Sequence, residues 1–135
     1  MAIALPKREA GMPSILVVED DKDAREGYLE FLSCSGFEPV GVGDGREALN
    51  IAIATLPAAV ITDISIPGLN GFDLAAILRR ERLTRHIPII GLTGHWSTDV
   101  QMRAAESKMA AVLLKPCMPA HLLAEIQRVL AAPVA

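Results

Sequence analysis

The chain has 135 residues, 51% of them hydrophobic, with a formal net charge of -3. That is long enough to bury one core, and too apolar for a disordered segment. A weakly acidic chain with no lysine or arginine cluster argues against a nucleic-acid surface, and no apolar run nears the roughly 20 residues that span a bilayer.

Residues 1–13 read as a short leader, without the charged-then-apolar order of a signal peptide. Residues 14–131 read as the single domain, and 132–135 as a tail that leaves no room for another. From Ile15 onward, strand-like and helix-like segments alternate five times, which predicts an α/β fold of βα units on a parallel sheet. The strands are expected at Ile15–Val18, Phe37–Val42, Ala59–Thr62, Ile89–Leu92 and Ala111–Leu114. Four are continuous apolar runs, as for strands covered on both faces. The second carries Pro39, which removes a ladder donor and suits a sheet edge.

Between the strands the apolar spacing is helical. Ala24, Tyr28, Phe31 and Leu32 share a face of the first helix, with Gly36 as its stop. Asp44 is placed to cap the second, which carries Ala48, Leu49 and Ala52. Leu74, Ala75 and Leu78 line the third. Ser97 or Thr98 caps a short fourth. Pro119 fits the first turn of the last, whose core face is Leu122, Leu123, Ile126, Val129 and Leu130. Cys34 and Cys117 match no metal spacing and make no disulfide framework, so free thiols in a reducing cytoplasm are expected.

Polar residues fall where the buried strands end: Glu19-Asp20-Asp21 after the first, Asp63 after the third, Thr93 after the fourth and Lys115 after the fifth. Strand ends of an open parallel sheet gather on one edge. Carboxylates, a hydroxyl and an ammonium thus meet in one place. Asp63, ahead of the loop Ile64-Ser65-Ile66-Pro67-Gly68-Leu69-Asn70-Gly71, is free to act as a nucleophile. Asp20, with Glu19, suits a hard divalent cation, and Lys115 supplies a point charge. Each fragment alone has a plainer reading: a helix cap, a turn aspartate, a loop lysine. Their placement together outweighs those readings.

With these residues in place, the chain resembles the receiver domain of two-component response regulators, over about residues 14–131. The resemblance rests on the Val-Val-Glu-Asp-Asp start, the Asp-x-x-Ile-Pro-Gly-x-Asn-Gly loop, Thr93 and Lys115-Pro116. It implies the CheY-like, flavodoxin-like (βα)5 fold, doubly wound with strand order 2-1-3-4-5. It also implies that Asp63 accepts a phosphoryl group from a sensor histidine kinase or a histidine phosphotransfer protein. It implies Mg²⁺ held by Asp20, Asp63 and the backbone carbonyl of Ser65, with Glu19 acting through water. Thr93 would bond the phosphoryl oxygen as the switch, Lys115 would pair with it, and the Lys115–Pro116 bond would be cis.

Gly94 would leave the aspartate open to the donor. His95, in a loop overlooking the site, would tune dephosphorylation or be a plain exposed loop residue. Asp21 and Asp23 read as solvated helix-start charges. Where the family often has a strand-five aromatic, this chain has Val112.

Two other functions compete. A phosphohydrolase with an aspartyl-phosphate intermediate needs a second aspartate two residues after the nucleophile, where Ser65 stands. A degenerate receiver used only for docking would not need the full acidic, Thr and Lys set. The expected protein is a cytoplasmic, stand-alone switch, not an enzyme on a separate substrate. It binds neither DNA nor membrane, and its output partner docks on the face of helix four, strand five and helix five.

Overall fold

The computed structural model describes residues 12–131; the leader up to residue 11 and the tail from 132 lie outside them. The elements alternate throughout: β1 (Ser14–Val18), α1 (Lys22–Cys34), β2 (Glu38–Val42), α2 (Gly45–Thr55), β3 (Ala59–Asp63), α3 (Gly71–Arg80), β4 (Ile89–Thr93), α4 (Thr98–Glu106), β5 (Ala111–Leu114) and α5 (Pro119–Ala131). All strand pairs are parallel and the sheet order is β2-β1-β3-β4-β5. β2 is an edge strand, as Pro39 required.

Alternate side chains of each strand feed opposite faces of the sheet. Ile15, Val17, Ile61, Ile90 and Leu92 pack with Leu32 of α1 and with Leu122, Ile126 and Val129 of α5. Leu16, Val18, Val60 and Ile89 pack with Ala48 and Ala52 of α2 and with Leu74 and Leu78 of α3. That double coverage is why β1, β3 and β4 read as unbroken apolar runs. β5 forms the other edge, as the strand order implies, but its last residue, Leu114, is 51% exposed where a buried strand end was expected. Its inner residues still feed both faces, Leu113 into the core with α5 and Val112 against Ile64, Phe72 and Ala104.

The helix ends are built locally. Asp21, Asp44, Asn70 and Ser97 each accept a backbone N–H of the first turn of their helix, so Ser97 rather than Thr98 caps α4. α1 stops at Cys34, and Gly36 follows at φ +92°. Among the described residues two that are not glycine also take the left-handed conformation: Leu56, closing α2, at φ 48°, and Lys108, just after α4, at φ 58°. Cys34 and Cys117 are both free thiols.

Candidate functional site

The site grows from three strand ends. β1 delivers Glu19, whose backbone N–H bonds Val42 O at 3.0 Å, fixing the turn against the end of β2. Glu19 is 1% exposed. One of its carboxylate oxygens accepts from Asp21 N–H at 3.2 Å and the other from Lys115 Nζ at 3.0 Å. Asp21 is turned to the helix, accepting from Ala24 N–H at 2.8 Å, while Asp23 is exposed in the first turn. Asp20 stands exposed beside them.

β3 runs one residue further than its apolar pattern, ending on Asp63. The register pairs Asp63 with Leu92 of β4. Asp63 Oδ2 accepts from Lys115 Nζ at 2.9 Å and Oδ1 from Ser65 N–H at 3.2 Å. Gly71 is required beneath it, because a Cβ there would lie 2.8 Å from Asp63 O and 2.9 Å from Ile64 Cα. Gly45 N–H bonds Pro67 O at 3.0 Å and ties the loop after Asp63 to α2.

Lys115 reaches both carboxylates because its own N–H bonds Thr93 O at 2.7 Å, continuing the β4–β5 ladder. The peptide bond to Pro116 is cis. Burial works against the ammonium, yet its hydrogen bonds to Asp63 and Glu19 outweigh that and raise its pKa. Burial raises the Glu19 pKa, and the Lys115 hydrogen bond only partly opposes it. Oxygens of Glu19, Asp20 and Asp63 lie within 4.8 Å of one another. If all three ionise, one ammonium leaves two negative charges uncompensated. An all-oxygen donor set with that charge could hold a hard divalent cation.

Thr93 is buried at the same edge, but its hydroxyl is engaged by its own loop. It donates to His95 O at 2.9 Å and accepts from His95 N–H at 3.2 Å. The structure therefore joins Glu19, Asp20, Asp63 and Lys115, with Ser65 N–H, and leaves the Thr93 hydroxyl bonded elsewhere. Gly94 and His95 are exposed, and a Cβ on Gly94 would meet nothing within 4 Å. Arg25 was not foreseen: its Nη1 donates to Glu19 O at 2.8 Å. The only sequence signal for it is its place one turn into α1 from the Asp21 cap.

A doubly wound parallel sheet in this order, with a carboxylate cluster and a lysine at its strand ends, defines a CheY-like, flavodoxin-like α/β architecture. The chain belongs to the response regulator receiver domain family, whose model matches residues 15–127. It is similar to the phosphate regulon transcriptional regulatory protein PhoB of Escherichia coli (34% identical over 116 residues, 86% of this chain and 51% of that one). Among solved structures it is similar to chemotaxis protein CheY4 of Vibrio cholerae (30% identical, TM-score 0.83, covering 87% of this chain and 98% of that chain). It is also similar to the receiver domain of sensor histidine kinase PA1611 from Pseudomonas aeruginosa, which has a magnesium ion coordinated in its active-site cleft. That likeness is 26% identical with TM-score 0.83, covering 90% of this chain and 99% of that one. The chain spans about half the length of the curated relatives it matches. Among the described residues no helix is long and apolar enough to cross a membrane.

Proposed function

We propose that the chain is a phosphorylation-dependent signalling switch with Asp63 as acceptor. The observation that carries this is Lys115 Nζ lying 3.0 Å from Glu19 and 2.9 Å from Asp63, with the Asp20 carboxylate alongside. The donor is a phosphohistidine of a sensor histidine kinase or phosphotransfer protein. An Asp63 oxygen forms the new bond to phosphorus, the phosphorus–nitrogen bond breaks, and the imidazole leaves with the electron pair. Mg²⁺ held by Asp20, Asp63 and the Ser65 carbonyl, with Glu19 behind a water, would neutralise phosphoryl oxygens. Lys115 follows the negative charge from the Asp63 carboxylate to the phosphoryl group. The only chemistry is its own phosphorylation and dephosphorylation, and a cytoplasmic location goes with this reading.

Thr93 exchanges its bonds to His95 for a phosphoryl oxygen, and the loop carrying Gly94, His95 and Trp96 moves with it. Gly94 keeps the approach to Asp63 clear, and His95 modulates attack by water. Output passes to a partner protein on the face of α4, β5 and α5, where Trp96, Met102, Leu114 and Met118 are all exposed. Val112, in the aromatic's usual place, packs against the cluster of Ile64, Phe72 and Ala104. With no ring to swing, this face stays apolar in both states, and phosphorylation should change partner affinity by less than about a hundredfold.

Incubation with acetyl phosphate and Mg²⁺ tests the acceptor. The wild type should gain one phosphoryl group by intact mass and Asp63→Asn none. Equal labelling of the two would refute the assignment.

A further inference from the structure

The opposite edge of the sheet, away from Asp63, holds a cleft of about 850 Å³ between the segments leading into β3, β4 and β5 and the end of α5. Arg79, Arg85, His86, Lys108 and Arg128 line it, and among the described residues no carboxylate does. Two of the arginines are already committed. Arg79 donates to the carbonyls of Arg85, Ile87 and Lys108, which fixes the two segments carrying Arg85 and Lys108 relative to each other. Arg128 pairs with Glu125 at 2.9 Å and reaches Ala110 O. Arg85 and Lys108 have no ion pair or side-chain hydrogen bond among the described residues. They are free cations at the rim of a preformed cleft.

The backbone shapes the same walls. The two non-glycine residues at positive φ among the described residues, Leu56 and Lys108, both line this cleft. Lys108 follows α4 in a Schellman motif, its N–H bonding Ala105 O and the Met109 N–H bonding Ala104 O. Glycine would form either cap without a Cβ penalty. Both positions close a helix, which accounts for the positive φ and fixes where the two residues stand on the cleft. Here one strained residue adds an apolar wall and the other a cation. Pro57, Pro88 and Val129 extend the apolar wall.

We propose that this cleft is a nucleotide-binding site, taking a nucleoside di- or triphosphate. Arg85 and Lys108 supply charge to the phosphates, and Leu56, Pro57 and Pro88 supply apolar surface for the base. Arginine and lysine beside backbone-clamped loops suit phosphate oxygens, and the volume falls within the range of small-molecule sites. The site shares no residue with the Asp63 cluster, so it stands whether or not Asp63 is phosphorylated.

Calorimetric titration of the whole chain with ATP, AMP and inorganic pyrophosphate in metal-free buffer tests it. ATP should bind below about 1 mM and pyrophosphate roughly tenfold more weakly for lack of a base. Arg85→Ala and Lys108→Gly should each weaken ATP binding about tenfold, the worth of one charge-assisted hydrogen bond. Lys108→Gly should at the same time raise the melting temperature, because it removes the positive-φ penalty, so lost binding cannot be mistaken for unfolding. Asp63→Asn should bind ATP as the wild type does. The proposal is overturned by no ATP binding at that concentration or by pyrophosphate binding as tightly as ATP. It is overturned equally by Lys108→Gly melting higher with ATP affinity intact, or by Asp63→Asn losing ATP.

Discussion

Replacing Lys115 by methionine keeps an unbranched stem and removes the ammonium that two buried carboxylates share. At 3.0 Å and 2.9 Å, an effective dielectric of about 20 gives each pair roughly 5 kcal/mol of Coulomb attraction. Desolvation cancels most of that, and removing one member of a buried pair costs about 3–5 kcal/mol in measured cases. The Lys115 side chain is 27% exposed, so about 2–3 kcal/mol at neutral pH is expected. In a domain of this size that lowers the melting temperature by about 10 °C.

The signature is its pH dependence. The folded-state pKa of Lys115 is raised, so its stabilising charge is present below the ordinary lysine pKa and is lost only as pH rises through the raised value. Glu19 is also raised, so ionising it costs folded stability as pH rises above its ordinary value, and the cost is larger without the lysine. The gap between wild type and Lys115→Met should therefore be widest near pH 7–8 and close toward pH 4 as carboxylates protonate. Melting curves by circular dichroism from pH 4 to 8 measure it. A gap of constant size across that range would mean that Lys115 matters for packing and not for charge.

Millimolar Mg²⁺ should raise the wild-type melting temperature, by about 1.4 kcal/mol of stability at ten times its dissociation constant. In Asp20→Ala that rise should vanish, and its persistence would remove Asp20 from the metal site. Trp96 fluorescence should change with Mg²⁺ and change further with beryllofluoride as a phosphoryl mimic. Thr93→Ala should keep the first response and blunt the second, whereas an undiminished second response would break the link from Thr93 to the loop. Gly71→Ala should cost about 2 kcal/mol, from a Cβ forced against Asp63 O and Ile64 Cα. It should also slow acetyl phosphate labelling, and normal stability with normal labelling would show that α3 can shift away freely.

The strands and the residues at their ends were legible because parallel strands covered on both faces leave uninterrupted apolar runs. Pro39 named an edge in advance, and the strand order came only with the family resemblance. That Lys115 would meet the carboxylates was legible from its strand end, but its direct bonds to Glu19 and Asp63, 96 and 52 residues away, were not, because they depend on how far each strand runs. The burial of Glu19 was hidden for the same reason, being set by a backbone bond to the end of β2. The exposure of Leu114 at the end of β5 was hidden, because an apolar strand end has the same composition at a rim as in a core. Leu56 and Lys108 gave no hint of positive φ, since helix closure imposed it on residues that do not favour it.

The two bonds holding the Thr93 hydroxyl to His95 bear on how quiet an unstimulated switch would be. At roughly 1 kcal/mol each they would hold the hydroxyl in its loop by about 30 to 1. Spontaneous excursions toward Asp63 would then occupy a few per cent of the population, setting a floor of background output. A serine at position 93 could make the same two bonds without the methyl group that restricts rotation. Under the proposed switch its background should be higher at an unchanged capacity to accept phosphate, and the γ-methyl of Thr93 would then govern signal-to-noise more than signal strength.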